Sequence, residues 1–343
     1  FRPPFKPPSH MKPLSHSQTL RHGVFFGIFA GAMWGLVFLS PKITHQFSPL
    51  TQMVVRYICY GLFALIFSIR TIVPLLKNLA ADDWKKLVIL SIQGNIAYYV
   101  FLAIGVKYAG IAPTTLIIGV LPLTITLMGR NEHDSLPIRQ LLLPSLLIVS
   151  GIMMISLDVF LHSDSSLNSS PAQRALALAC AVGALICWTL YAYRNAQYLR
   201  AHKVSATDWA NLTGIVTSVL AVFMLGVGYL ISLWRPNALL ALNTDPSLDW
   251  LQFFLIGGLA VAFFASFLGN IAWSKASQML PVSLSAQLII SESLFSLLYG
   301  FLYDARWPRA LEWTAMGLAL TGVAWAIHMH VQAHPKDSSL EMH

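Results

Sequence analysis

The chain has 343 residues, of which 56% are hydrophobic and only 10% are charged. Soluble domains carry about 25% charged residues, so this composition excludes an ordinary soluble protein and indicates lipid as the solvent. The net charge of +8 comes from residues that lie between apolar runs, which indicates membrane topology. We therefore expect a lipid bilayer and no nucleic acid as partner.

Ten apolar runs follow along the chain, each long enough to cross a bilayer. The first five lie near residues 22–41, 52–70, 86–108, 111–130 and 138–158. The second five lie near residues 173–197, 206–234, 249–275, 278–301 and 308–330. The predicted fold class is an all-α membrane protein with ten transmembrane helices. Within the fourth run, Pro122 predicts a kink because proline cannot donate to the helix ladder.

The distribution of lysine and arginine predicts the orientation, because cytoplasmic loops are rich in both. Most of these residues fall inside if both termini are cytoplasmic. The tails are then residues 1–21, whose first ten resemble an expression leader, and residues 331–343. Residues 159–172 are an extracytoplasmic linker. His328 and His330 end the tenth run, and we expect both to be solvated.

The two sets of five runs resemble each other, as 22–158 and 173–330. Gly105, Pro122, Gly129 and Gly151 align at one offset with Ala276, Ser293, Gly300 and Gly322, and Trp34 aligns at a smaller offset with Trp188. The extra residues of the second half fall in the polar loop 235–249. Because five is odd, the second half enters the membrane inverted, and such inverted repeats are typical of alternating-access carriers.

Several short motifs occur in a characteristic order: Ala32–Gly35 (AMWG), Val55–Tyr57 (VRY), Ala112–Pro122 (APTTLIIGVLP), Ala184–Trp188 (ALICW) and Gly317–Gly322. Over residues 22–330 the chain resembles the drug/metabolite transporter superfamily, in its EamA-like branch of ten-helix carriers. The resemblance implies two five-helix repeats and a secondary carrier, usually an exporter of metabolites such as amino acids or of drugs. One branch exports aromatic amino acids across a bacterial inner membrane. Ser293 stands where the family usually has a proline after the glutamate, which removes an expected kink.

Two ionisable residues lie within the runs, where charge is costly. Glu292 is near the middle of the ninth run, between two serines. It is the proton-coupling candidate, and it could instead pair with a substrate ammonium or bond a neighbouring helix. Arg56 lies closer to the outer end of the second run, and we expect a structural role, with its side chain reaching the interface or helix-end carbonyls.

Polar and aromatic residues within the runs form a second group of candidates. The predicted substrate-binding residues are Trp34, Asn95, Tyr98, Tyr99, Trp188, Tyr191, Asn270, Trp273 and Glu292. Such rings could stack on a planar substrate while the amides fix its polar end. The alternative is ordinary packing, because aromatic rings and asparagines also hold membrane helices together.

Together with these features, the resemblance implies a secondary active transporter of the bacterial inner membrane that exports small neutral or zwitterionic metabolites such as amino acids. One alternative is a multidrug exporter of cationic compounds, with Glu292 as the counter-charge. An integral-membrane enzyme is the alternative from another class, but no His or Asp lies deep in any run to form a catalytic set. We expect no enzyme activity, no cofactor and no metal, since Cys59, Cys180 and Cys187 lie in apolar runs as small hydrophobes.

Overall fold

The structure, a computed structural model, describes residues 16–44, 46–109, 114, 117–131, 136–162, 170–201, 204–236, 238, 241–243 and 245–333. The predicted leader 1–10 lies outside the described residues, as do residues 163–169 of the linker and most of the tail 331–343. Within the described residues the chain is helical and forms no strand. This confirms the predicted all-α membrane class.

The helices of the first half are α1 (His16–Ile43), α2 (Pro49–Asn78), α3 (81–109), α4 (Leu121–Met128) and α5 (Ile138–His162). Helix α3 contains a π-helical turn, Ile92–Ala97, between two regular stretches. The fourth predicted span is only partly described. There Pro122 lies in the first turn of α4, after a turn at 119–120. The helical path is thus interrupted just before Pro122, in agreement with the expectation that this proline kinks or loosens the helix.

The helices of the second half are α6 (Pro171–Ala201), α7 (Ala206–Trp234), α8 (Trp250–Met279), α9 (Val282–Tyr303) and α10 (Ala310–Ala333). Helix α8 carries two π-helical stretches, Phe254–Ala260 and Ala262–Leu268. Helix α9 is interrupted at Ile289, one turn before Glu292, so an irregularity occurs there without the proline of the family.

Eight of these helices are long and apolar enough to cross a membrane, namely α1, α2, α3 and α6 to α10, and α5 holds a shorter apolar stretch. Exposed leucine, isoleucine, phenylalanine and valine side chains cover much of their outer faces. In water such a surface would aggregate, whereas in a bilayer it meets the acyl chains.

Corresponding helices of the two halves have corresponding packing partners. Helices α2 and α7, α4 and α9, and α5 and α10 pack against each other, and each pair joins a helix to the one five places later. Helix α1 packs against α8 and α9, and α6 packs against α3 and α4. The centre of the bundle is therefore enclosed by helices from both halves.

Small residues let α9 approach α1 closely. Gly31 lies against Ser291 and the backbone of Glu292, and Gly35 lies against Phe295. A Cβ atom at either glycine would collide with α9. Glycine at these positions thus brings the backbone of Glu292 against the first helix.

The second of the two terminal histidines departs from expectation. His330 is buried, with 1% of its surface exposed, and its Nε2 lies 3.0 Å from the Ser283 hydroxyl. Its Nδ1 lies 2.7 Å from the Ala326 carbonyl oxygen. The prediction of solvation was wrong for His330, because α9 packs against this end of α10, while His328 is exposed as predicted.

Candidate functional site

Five aromatic rings meet where α1, α3, α6 and α8 converge. The indole rings of Trp34, Trp188 and Trp273 contact each other, with centroid distances of 5.7 Å for Trp34–Trp188, 5.3 Å for Trp34–Trp273 and 5.8 Å for Trp188–Trp273. Tyr98 and Tyr191 each contact the Trp188 ring, at 6.3 Å and 5.3 Å. The rings are tilted or edge-to-face, as the aromatic quadrupole favours. We call these five residues the aromatic cluster.

Two glycines make room for the rings. The Trp34 indole lies against Gly269 in α8, and the Tyr191 ring lies against Gly94 in the π-helical turn of α3. A Cβ atom at either glycine would fall within 3 Å of the ring it faces. The irregular third helix of each half therefore holds an aromatic ring of another helix at the centre.

The aromatic cluster contains an unused hydrogen-bond donor. The Trp273 side chain is 2% exposed, and its indole Nε1 has no acceptor among the described residues. Leaving a buried N–H unpaired costs about 1–3 kcal/mol. This N–H is therefore available to an acceptor atom of a ligand.

Glu292 lies beside the aromatic cluster. Its side chain is half-buried, and its carboxylate interacts electrostatically with the Tyr98 hydroxyl and with the Arg56 guanidinium. Within the described part of the chain, the carboxylate makes neither a hydrogen bond nor an ion pair closer than 4.0 Å. Its charge is thus left for a proton or a ligand.

Arg56 points into the protein. Its Nε donates a 2.8 Å hydrogen bond to the Ser266 hydroxyl in a π-helical stretch of α8, and its guanidinium lies 5.3 Å from the Tyr57 ring centroid. The expected bonds to helix-end carbonyls are not the ones formed, because Ser266 offers a closer acceptor. The bond to Ser266 is compatible with the structural role expected for Arg56, and the guanidinium also interacts electrostatically with Glu292.

A small cavity adjoins Arg56. It has a volume of about 30 Å³ and is lined by Val37, Ser40, Gln52, Met53, Arg56, Tyr57, Tyr99, Gly257 and Val261. This space admits water but is far below the roughly 300 Å³ of the smallest ligand pockets. Tyr99 thus lies beside Arg56 and Tyr57, separate from the aromatic cluster.

The two candidate asparagines bond to the protein itself. Asn95 is buried, and its Nδ2 donates to the Thr217 hydroxyl of α7 at 3.2 Å. The Nδ2 of Asn270 donates to the Ser266 carbonyl, one turn earlier in α8, at 2.7 Å. Neither belongs to the aromatic cluster, and the Asn95 bond fits the packing alternative.

Sequence reasoning also missed polar residues that the helices bring together. Tyr57 was visible only as a neighbour of Arg56 in the quoted motif. Gln287 donates through Nε2 to the hydroxyls of Thr126 at 3.1 Å and Ser145 at 2.9 Å, which joins α9 to α4 and α5. Gln287 lies more than 140 residues from both hydroxyls, so no sequence pattern predicts these contacts.

The apolar helices and the enclosed, partly charged centre define a polytopic membrane protein with features of a small-molecule carrier. Residues 21–157 match the EamA-like transporter family. The first half of the chain is therefore similar to EamA-like transporters, which supports a membrane transporter of the drug/metabolite transporter superfamily. The matched family is one of transporters.

Two further likenesses cover most of the chain. It is 29% identical over 314 residues to the inner membrane protein YtfF of Escherichia coli (strain K12), a match that covers 89% of this chain and 94% of YtfF. A solved crystal structure superposes with a TM-score of 0.69 over 91% of this chain and 99% of that one, at 15% identity. At that identity the superposition supports the fold alone.

Proposed function

We propose that the protein is an alternating-access exporter of small neutral or zwitterionic metabolites, with aromatic amino acids as the best-fitting class. The observation that carries this proposal is the aromatic cluster with its unpaired Trp273 N–H, flanked by Glu292 and Arg56.

Each part of a zwitterionic amino acid has a complementary group in this region. The α-ammonium suits the Glu292 carboxylate, and the α-carboxylate suits the Arg56 guanidinium or the Trp273 N–H. An aromatic side chain suits the faces and edges of the indole rings. Trp34, Tyr98, Trp188 and Tyr191 would then line the ring end of the site.

The rings contact each other and the adjoining cavity holds little more than water. We therefore propose that substrate enters when the helices separate on one side, and that the cluster closes behind it. Contacts between α1 and α8, and between α3 and α6, are the ones that such an opening changes.

The packing pattern supports two inverted-topology repeats, residues 22–158 and 173–330. Helices five places apart pack together, and the contacts of α1 with α8 and α9 have counterparts in those of α6 with α3 and α4. Both third helices also contain π-helical stretches. A twofold axis between repeats places a substrate site at their interface, where the aromatic cluster lies.

Glu292 is the proposed proton-binding group. A carboxyl group that faces one cation and no second acid can bind or release a proton on its own. If substrate ammonium and proton compete for it, export of substrate is linked to proton entry. The exchange needs no metal and no cofactor.

We place the protein in a bacterial inner membrane with both termini in the cytoplasm. The name of YtfF supports the membrane, and the lysine and arginine distribution supports the orientation.

A second candidate function is export of cationic drugs. The unpaired Glu292 and the surrounding rings favour it, since an organic cation is attracted to both. This function leaves Arg56 unexplained, because a buried cation repels such a substrate.

The test is counterflow in proteoliposomes preloaded with unlabelled Phe, Tyr, Trp, Leu or a quaternary ammonium dye. We expect labelled aromatic amino acids to accumulate above protein-free liposomes, and more than Leu. Accumulation of the dye alone would replace the proposal with the drug-export alternative, and absence of counterflow for every amino acid would refute it.

A further inference from the structure

A second, larger pocket opens between the first turns of α3 and the last turns of α6, away from the aromatic cluster. Its volume is about 420 Å³, and its walls are Asp82, Lys85, Lys86, Ile89, Leu90, Arg194, Gln197, Tyr198 and Ala201. About one turn further along both helices, the Tyr191 ring lies against Gly94. The pocket is therefore a side site at one end of the bundle.

The charged side chains in this pocket differ in whether they form an ion pair or a hydrogen bond. Lys86 forms an ion pair with Asp82 at 2.6 Å, and Asp83 accepts a 2.7 Å hydrogen bond from the Tyr198 hydroxyl. Lys85 and Arg194 are exposed, and neither has an ion-pair partner among the described residues. Two cations on opposite walls, one from α3 and one from α6, are thus left to attract an anion.

The position of the pocket matches the headgroup level of a bilayer. Trp84, beside Lys85, is 38% exposed, and tryptophan is enriched at membrane–water interfaces. One and two turns deeper, Val88 and Ile92 are also exposed on α3 and face the acyl region. Ile89 and Leu90 give the pocket an apolar wall below its basic rim.

We propose that this pocket binds the phosphate headgroup of an anionic phospholipid, with Lys85 and Arg194 on the phosphate. The apolar wall of Ile89 and Leu90 lies against the start of the acyl chains. Basic pockets between helices at the membrane surface bind such headgroups. The site is independent of the substrate proposed above, so either proposal can fail without the other.

The test measures binding of a fluorescent phosphatidylglycerol to the full chain in detergent, with phosphatidylcholine of the same acyl chains as comparison. The variant is the double substitution Lys85→Gln and Arg194→Gln. We expect binding about 30-fold weaker, since each basic residue near an anionic headgroup contributes about fivefold. A control with Arg70→Gln and Arg139→Gln, both exposed residues outside the pocket, has the same net charge and should bind normally.

A charge-keeping variant, Lys85→Arg with Arg194→Lys, guards against misfolding and should bind within a few-fold of the unchanged protein. Excess inorganic phosphate distinguishes a lipid from a free anion. Weak competition supports the lipid, whereas complete displacement would make free phosphate the ligand and overturn the proposal. Equal binding of phosphatidylcholine, or unchanged binding by the first variant, would also overturn it.

Discussion

Helices α3 and α8 take corresponding places in the two halves, yet they use their polar side chains differently. In α3, Asn95 of the π-helical turn is buried and bonds to the neutral Thr217 of α7. At the aligned position of α8, Ser266 bonds to the cationic Arg56 of α2. One contact joins neutral groups and the other holds a charge near Glu292. Under the proposed repeat, the two positions are equivalent in the scaffold and differ in their chemistry.

The same holds for the rings and charges at the centre. Trp34 and Trp188 align between the halves and contact each other. Glu292 aligns with Leu121, and Arg56 aligns with Ala210. These two tryptophans therefore follow the proposed repeat, whereas each charge occurs once.

The largest expected effect concerns the shared scaffold. Trp188→Ala removes the ring that contacts four others, and we expect the free energy of unfolding to fall by about 3–5 kcal/mol and transport to be lost. Thermal unfolding in detergent and counterflow measure the two effects. Trp234→Ala, at an 86% exposed site, is the control. A stable, active Trp188→Ala protein would contradict the central role of the cluster.

The next effect concerns the unsymmetrical charge. Arg56→Gln removes a cation from the region of Glu292, and we expect amino-acid binding to weaken about tenfold or more, since hydrogen bonds to charged groups contribute about 1.5–3 kcal/mol. Titration calorimetry measures the affinity. Arg56→Lys, which keeps the charge, should retain part of it. Equal affinities for all three proteins would make Arg56 structural, as its position in the sequence first indicated.

Asn95→Ala tests whether Asn95 holds α3 against α7 or binds substrate. It leaves the Thr217 hydroxyl without this donor, so we expect stability to fall by about 0.6–1.7 kcal/mol, as for interhelical hydrogen bonds in membranes. Substrate affinity should not change. A clear loss of affinity at unchanged thermal stability would instead return Asn95 to the substrate site.

The smallest effect lies at the end of α9. Ala305 has a φ of 48°, in the left-handed region that favours glycine. The Arg306 N–H bonds to the Phe301 carbonyl at 3.1 Å and closes the helix end. We expect Ala305→Gly to raise stability by about 0.5–1 kcal/mol. The same substitution at exposed Ala324 within α10 should lower stability instead, and thermal unfolding compares the two.

Much of the fold could be predicted from the sequence, because bilayer thickness sets the length of each apolar run. Helices α6 and α7 agree with their predicted spans to within a few residues. The helix ends were less predictable. Helix α8 continues to Met279, and α9 begins at Val282, directly after Pro281. The family resemblance is confirmed over residues 21–157.

The candidate site was only partly predictable, and for physical reasons. Trp34, Trp188 and Trp273 meet as a set, whereas Asn95 and Asn270 bond elsewhere. A π-helical turn shifts the direction of side chains relative to a regular helix, so spacing in α3 and α8 does not fix which face a residue occupies. The direction of the Arg56 side chain depends on its hydrogen bond to Ser266, 210 residues later in the chain, and no local sequence pattern predicts that contact.

The central claim is that substrate and proton meet at Glu292 beside the aromatic cluster. The most direct measurement compares the unchanged protein with Glu292→Gln in proteoliposomes, with and without an imposed pH gradient. The account predicts that the gradient drives accumulation of an aromatic amino acid in the unchanged protein. In the variant, it predicts that the gradient has no effect while counterflow persists at reduced affinity. An unchanged response to the gradient in Glu292→Gln would contradict the account.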